Sequence, residues 1–211
     1  MFKKIALMSF GVLLAGVASA EGGLYGGVGV GLASTSINNQ NVVTGATAYS
    51  FSKDETDTAY KLQAGYQVNN YFAIEGGYVN LGKFSATENV TAPANGSVKG
   101  RSKVQGWSAF AVGILPIAQG FSAFGKLGTI YSTTKTHVTT GGAVVLAAGQ
   151  SANRSRSEFN LAYGLGLQYD ITKTTNVRAE WERFEKVGNN ASNGTGERDF
   201  NIYSVGLNYR F

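Results

Sequence analysis

Five ionisable residues interrupt apolar, glycine-rich stretches of this sequence: Glu75, Lys126, Arg178, Glu180 and Glu182. Where such a stretch is extended, alternate side chains share one face, because successive side chains of a strand point to opposite sides. Charges on a buried face must pair with one another, since an isolated buried charge is very costly. The pattern predicts a buried ion-pair network. It could support the fold or line a conducting, gated pathway, and the structural interpretation is favoured.

A catalytic site is poorly supported. His137 is the only histidine, and a general acid or base there would need a serine or a carboxylate within hydrogen-bonding reach. The chain has no cysteine, which removes thiolate chemistry and disulfides. The glycine run from Gly26 to Gly31 is not followed by a helical pattern, so it does not predict nucleotide binding. We therefore expect no enzyme activity, no metal site and no cofactor.

Basic residues form a second set, which flanks two long polar stretches. They could bind the phosphates of lipopolysaccharide or other polyanions, or they could be ordinary solvated charges. The sequence leaves both interpretations open for Lys99, Arg101, Lys103, Arg154 and Arg156.

The elements that must position these residues are strands. No helical periodicity is present, and segments of period two recur along the chain. In most of them one face carries tyrosine, leucine, valine or tryptophan and the other carries glycine, glutamine or charge; between Lys103 and Leu115 the phase is ambiguous, because large apolar residues occupy both faces. Eight segments are predicted: 24–32, 58–68, 71–81, 103–115, 121–131, 159–169, 175–184 and 200–211.

The connections between these segments alternate in length. Short turns follow the second, fourth and sixth segments, and long polar loops are predicted at about 33–57, 82–102, 132–158 and 185–199. An even strand number with short turns at one end and long loops at the other is typical of outer-membrane barrels. The predicted fold class is all-β, an eight-stranded antiparallel up-and-down transmembrane β-barrel with four long extracellular loops.

The narrow interior of such a barrel decides which face points outward. Eight strands enclose space for only a small set of side chains, so the large apolar face should contact lipid and the small or polar face should fill the lumen. A soluble barrel with the opposite arrangement is the alternative. Aromatic residues near the strand ends are predicted to form interfacial girdles: Tyr25, Tyr66, Tyr71, Tyr78, Tyr131, Tyr169, Tyr209 and Phe211. The predicted lumen set is Lys61, Gln63, Glu75, Lys126, Gln168, Arg178, Glu180 and Glu182.

The N-terminus predicts export. Lys3 and Lys4 precede an apolar run that ends at Ala18-Ser19-Ala20, the pattern of a signal peptide, so residues 1–20 should be cleaved and 21–211 retained. An uncleaved anchor is the alternative, but the run is short for a membrane span. The formal net charge of +5 is scattered along an exported chain, so nucleic acid is not an expected partner.

Several segments in order carry a family likeness: Gly65–Gly82, Gly106–Ile117, Phe124–Gly128, Tyr163–Thr172, Val177–Trp181 and Ser204–Phe211. Together they resemble the transmembrane domain of OmpA-like outer-membrane proteins and the related stand-alone surface-antigen barrels. The resemblance implies location in the bacterial outer membrane and a structural or surface-interactive role. A small-solute pore or gated channel is the alternative, and a rim enzyme that modifies lipid A is a weaker one.

The resemblance also implies roles for particular residues. Lumen ion pairs linked to gating in the family fall at Glu75, Lys126, Arg178 and Glu180. At two positions this sequence differs from the family pattern. Val112 stands where the family has a lumen lysine on the fourth strand, and Gln168 stands where it has a lumen glutamate on the sixth.

Partners are implied in the same way. The final aromatics Tyr209 and Phe211 would be read by the barrel-assembly machinery. Outer-membrane lipids and lipopolysaccharide are expected partners, host or environmental ligands would bind the loops, and the barrel would be a monomer. The sequence ends at Phe211 without the family's peptidoglycan-binding domain, so no cell-wall anchoring is expected.

Overall fold

A computed structural model describes residues 23–37, 48–92, 95–144, 151–188 and 195–211. The predicted signal peptide lies outside these residues. Across the described ranges, no helix is long and apolar enough to cross a membrane. The strands are β1 (Gly23–Thr35), β2 (Ala48–Asp54), β3 (Thr56–Asn69), β4 (Phe72–Ala92), β5 (Gly96–Ala118), β6 (Phe121–Gly142), β7 (Asn153–Asp170), β8 (Thr175–Val187) and β9 (Arg198–Arg210).

Eight of the nine strands form a closed ring. From β3 to β9 each strand pairs antiparallel with the next, and β1 joins the two ends by pairing with both β3 and β9. Among the strands of the described residues, the remaining one, β2, pairs with the distal part of β4. The predicted eight-stranded up-and-down barrel is confirmed, and β2 is an addition that the sequence analysis placed within a loop. We call the end that carries the short turns the turn end, and the other the loop end.

The outer face of the ring is apolar. Trp107, Leu127 and Leu165 are 60–66% exposed there, as a surface that contacts lipid requires. The structure also resolves the ambiguous phase of β5, because Trp107 points outward while Phe110 and Val112 are buried in the lumen. The predicted apolar-out arrangement is confirmed.

A row of four aromatic residues limits this apolar band at the loop end. Tyr78, Trp107, Tyr131 and Phe159 are directly opposite one another on successive strands, with ring centroids 5.2 Å apart in the first pair and 4.8 Å apart in the last. Phe121 begins the band on β6 at the turn end. The eleven residues from Phe121 to Tyr131 cover about 25 Å once strand tilt is included, which matches the hydrocarbon band of outer-membrane barrels.

Four strands continue far past this band, so two of the segments predicted as loops are largely strand. β4, β5 and β6 contain 21, 23 and 22 residues, whereas about 9–11 cross a bilayer. Most of the stretches predicted as loops 82–102 and 132–158 is therefore a projecting sheet, to which the distal part of β7 also belongs. Its outward face is polar and its inward face buries only a few apolar side chains, such as Phe84 and Val90, so its sequence lacks sustained apolar alternation and resembles a polar loop.

A β-bulge in β4 separates its membrane part from its projecting part. The pairing with β5 shifts between Asn80 and Gly82, and Gly82 has a φ of +89°, which a residue with a side chain rarely adopts. Even-numbered residues of β4 point outward before the bulge and odd-numbered residues afterwards. Lys83 is consequently exposed and Phe84 is buried.

Close backbone approach at Gly128 gives a test of the barrel's packing. An added Cβ would lie 1.9 Å from the carbonyl oxygen of Ala109, whereas a Cβ at Gly113 would meet nothing within 4 Å. We expect Gly128→Ala to lower the free energy of unfolding by about 1–3 kcal/mol because the strands must separate. The measurement is urea denaturation in detergent micelles, with Gly113→Ala as the neutral control. Equal stability of the two variants would contradict the close approach.

Candidate functional site

The middle of the lumen contains six charged side chains whose formal charges cancel. Lys61 binds Glu180 at 2.7 Å and also binds Glu182. Lys126 lies 2.6 Å from Glu75, 2.7 Å from Glu180 and 3.4 Å from Glu182. Arg178 completes the group, with its Nη1 2.6 Å from Glu75. None of the six side chains is more than 7% exposed, so every buried charge is compensated within the group, which we call the lumen cluster.

Neighbouring residues complete the coordination of the lumen cluster. The Tyr25 hydroxyl donates to Glu75 at 2.8 Å, and Arg178 Nε donates to the Gln168 side-chain oxygen at 3.0 Å. Arg178 also stacks 4.8 Å from the centre of the Phe124 ring. Aromatic faces stabilise cations, so the apolar residues within the lumen support the charges that they surround.

The lumen has a polar layer at the turn end. Gln63 donates to Asn208 at 2.8 Å, and Asn208 donates to Asn176 at 3.0 Å. Nearby, Arg210 forms two hydrogen bonds to Asp170, of 3.0 and 3.3 Å. The side-chain amides of Gln63, Asn208 and Asn176 thus form a chain of hydrogen bonds, which supplies the partners that buried polar groups require.

An apolar layer fills the lumen at the loop end, above the lumen cluster. Phe84 and Phe200 pack edge to face at 5.1 Å. The layer has no charged member among the described residues, and each of its large members is at most 2% exposed: Leu81, Phe84, Val104, Phe184, Phe200 and Ile202. Apolar close packing of this kind excludes water.

The structure brings all eight predicted lumen residues inside the barrel, but it also shows members that sequence reasoning missed. Tyr25 was assigned to an interfacial girdle, and this was wrong, since it is 5% exposed and bonded to Glu75. Its alternation with Gly27 and Gly29 on the glycine face was the available signal. The two positions that differ from the family pattern also face the lumen. Val112 lies directly opposite Lys126, and Gln168 contacts Arg178 without supplying a charge.

The remaining predicted residues lie apart from the lumen cluster. Lys99, Arg101 and Lys103 are on the outward face of β5, whereas Arg154 and Arg156 belong to the opposite parity of β7, so the structure divides the predicted basic set in two. Tyr209, on β9, and Phe211, directly after that strand, are exposed, and their rings pack edge to face with centroids 5.2 Å apart.

The lone histidine is placed on the projecting sheet. His137 Nδ1 lies 2.6 Å from the Asn153 side-chain oxygen. That partner is neither of the groups, a serine or a carboxylate, that a histidine-dependent reaction would need beside it.

Comparison with known proteins identifies the family. The model of the OmpA-like transmembrane domain matches residues 19–211, so the chain belongs to that family, as predicted, and is located in the bacterial outer membrane. No match was found among curated proteins.

Three solved structures are similar to this chain. The Neisserial surface protein A is similar over 89% of this chain and 97% of its own, at 11% identity and a TM-score of 0.52. OprG of Pseudomonas aeruginosa is similar over 90% of this chain and 95% of its own, at 16% identity and a TM-score of 0.49. Ail of Yersinia pestis, in complex with the heparin analogue sucrose octasulfate, is similar over 90% of this chain and 99% of its own, at 19% identity and a TM-score of 0.45.

Loss of one lumen charge tests the role of the cluster. Glu75→Gln keeps the side-chain shape but leaves the group with an excess positive charge, so we expect it to lower the free energy of unfolding by about 3–5 kcal/mol. Urea denaturation of the refolded barrel in micelles provides the measurement. Glu185→Gln is the matched control, since Glu185 is about one-third exposed and lies 3.7 Å from Arg183, and an exposed pair contributes at most about 1 kcal/mol.

A double variant separates charge balance from lost contacts. Glu75→Gln combined with Lys126→Gln restores neutrality, so its destabilisation should be clearly smaller than the sum of the two single effects. Strict additivity would show that the six charges do not act as one group.

Proposed function

We propose that this OmpA-like barrel is a closed structural component of the outer membrane that presents its projecting sheet for surface interaction. The observation that carries the proposal is the filled lumen. Along the barrel axis, the amide layer, the lumen cluster and the apolar layer succeed one another, and the large members of the last layer are almost fully buried. A continuous water path, which a solute pore requires, would have to pass through all three layers.

The projecting sheet supports the surface role. It extends β4, β5, β6 and β7 beyond the lipid band and gains β2 at one edge. Its backbone pairing continues almost to the tips, where Gly96 pairs with Val90 and with Gly142. A paired sheet holds surface residues in fixed positions, unlike an irregular loop. We propose that the loop end faces outside the cell and that this sheet contacts host or environmental surfaces.

The absence of cysteine allows a direct test of orientation. Single cysteines at Thr139, on the projecting sheet, and at Thr172, in a short turn, should differ in reactivity. With an impermeant maleimide on intact cells, we expect Thr139→Cys to be labelled and Thr172→Cys to react only after lysis. The reverse pattern would overturn the proposed orientation.

Shortened hairpins separate the two parts of the proposed function. Replacing 88–98 and 138–152 by Asn-Gly joins the directly paired residues Thr87 and Lys99, and His137 and Asn153, through favoured two-residue turns. We expect production of the full chain to raise the detergent resistance of cells and their attachment to epithelial monolayers, and we expect this variant to keep the first effect but lose the second. Asn70→Gly, at a turn-end hairpin, is the control. Undiminished attachment would contradict the surface role, and lost resistance would contradict the assignment of the structural role to the barrel.

Conductance tests the pore alternative. We expect the reconstituted barrel to give no steady unitary currents in planar bilayers, because the lumen is occupied along its length. Open events whose frequency rises with protein concentration, and whose size changes in Glu75→Gln, would instead favour the channel.

A further inference from the structure

Three lysines stand side by side on the outer surface of the barrel. Lys83 pairs with Lys103, and Lys103 pairs with Lys135, in the register of β4, β5 and β6. All three side chains are exposed. Like charges directly opposite on neighbouring strands destabilise a sheet. We call these three residues the lysine row.

No carboxylate of the described residues forms an ion pair with the lysine row, although the Asp57 carboxylate accepts a hydrogen bond from the Lys83 backbone N–H at 2.7 Å. None of its members has a carboxylate within salt-bridge distance there, and β7, next to Lys135, presents Ser155. Arg101 and Lys99 follow on the same face of β5 and add further positive charge. Asp54 is the one carboxylate in register on this face, and it lies opposite Ser85, beyond Lys83. Lys103 and Lys135 have no such neighbour among the described residues, so an anion from outside the chain would relieve the repulsion between them.

The height of the lysine row indicates which anion. Lys103 and Lys135 stand four residues beyond Trp107 and Tyr131 of the aromatic row. Four residues of a tilted strand correspond to about 10 Å, and the flexible lysine stems can extend toward or away from the membrane. A polar pair, Gln105 and Thr133, separates the two rows. The charges therefore lie just outside the hydrocarbon, at the level of lipid headgroups.

The direction of the side chains separates a lipid from a soluble ligand. The lysines have the outward parity of Trp107 and Tyr131, so they point away from the barrel axis toward the surrounding leaflet. We propose that the lysine row binds the phosphate groups of an outer-leaflet lipid, with Arg101 and Lys99 extending the site, and that the lipid phosphates neutralise the cross-strand repulsion. This rests on the proposed orientation, in which the loop end lies at the outer leaflet.

The proposed site can be tested because removal of the lysine row should change the stability of the barrel in opposite directions in two environments. In non-ionic maltoside micelles, Lys83→Gln/Lys103→Gln/Lys135→Gln removes repulsion and should raise the urea midpoint of unfolding. In bilayers that contain lipopolysaccharide, the same variant loses its phosphate partners and should have a lower midpoint than the unsubstituted barrel. A change of the same sign in both, or no change in either, would overturn the proposal.

Binding measurements identify the ligand chemistry. Each surface lysine near anionic lipid contributes about fivefold in affinity, so the triple variant should bind purified rough lipopolysaccharide on the order of 100-fold more weakly. Chemically dephosphorylated lipid A should bind both proteins equally weakly. Heparin in solution tests a soluble polyanion instead, and a larger loss for heparin than for lipopolysaccharide would overturn the lipid assignment.

A matched variant controls for net charge. Arg154→Gln/Arg156→Gln/Lys173→Gln removes three positive charges away from the outward face of β4–β6, and it should retain lipopolysaccharide binding. An equal loss in this variant would show general electrostatic attraction rather than a site. Failure of the orientation is distinguishable, because it would change labelling of Thr139→Cys on cells and leave lipopolysaccharide binding in vitro intact.

Discussion

The lumen of this eight-stranded barrel is filled by side chains that leave little room for water around a charge, and this constraint organises the rest of the molecule. Six charged side chains share that space, and each must find its counter-charge within a few ångströms. Glu75, on β4, is contacted by Lys126 from β6, Arg178 from β8 and Tyr25 from β1. One carboxylate thus connects four strands on different sides of the ring. Large residues have no room beside such contacts, which explains why glycines face the lumen on β1 and β7.

The same constraint assigns separate roles to the inside and the outside of the barrel. Inside, charges are matched and an apolar layer lies above them, which supports the proposed structural role. Outside, the aromatic row ends the lipid-facing band, and positive charge collects just beyond it without an ion-pair partner among the described residues. The balanced interior and the unbalanced exterior together favour a protein whose interactions take place at its outer surface and with its lipid neighbours.

The sequence predicted the barrel and its lumen charges because both leave a period-two signal within the membrane. The alternation of Lys126 and Leu127 along β6, for example, is enough to predict that the lysine points into the lumen and the leucine toward lipid. The projecting sheet leaves no such signal, since most of the residues on both of its faces are polar, and so the distal parts of β4 to β7 were predicted as loops. Tyr25 was misplaced because an aromatic residue near a strand end suits either a girdle or a lumen. The lysine row depends on cross-strand register, which one strand's sequence does not contain.

The bulge at Gly82 reverses which residues of β4 point outward, from even-numbered before it to odd-numbered after it. An insertion or deletion of one residue between Gly82 and Lys83 would exchange the faces of Lys83 and Phe84, placing an ammonium in the apolar layer and an aromatic ring among the outward lysines. A change of two residues there would preserve both faces. Length variation at this point of β4 should therefore occur in steps of two, whereas the tip of the β4–β5 hairpin can lengthen or shorten in evolution while the lumen and the lipid-facing surface keep their composition.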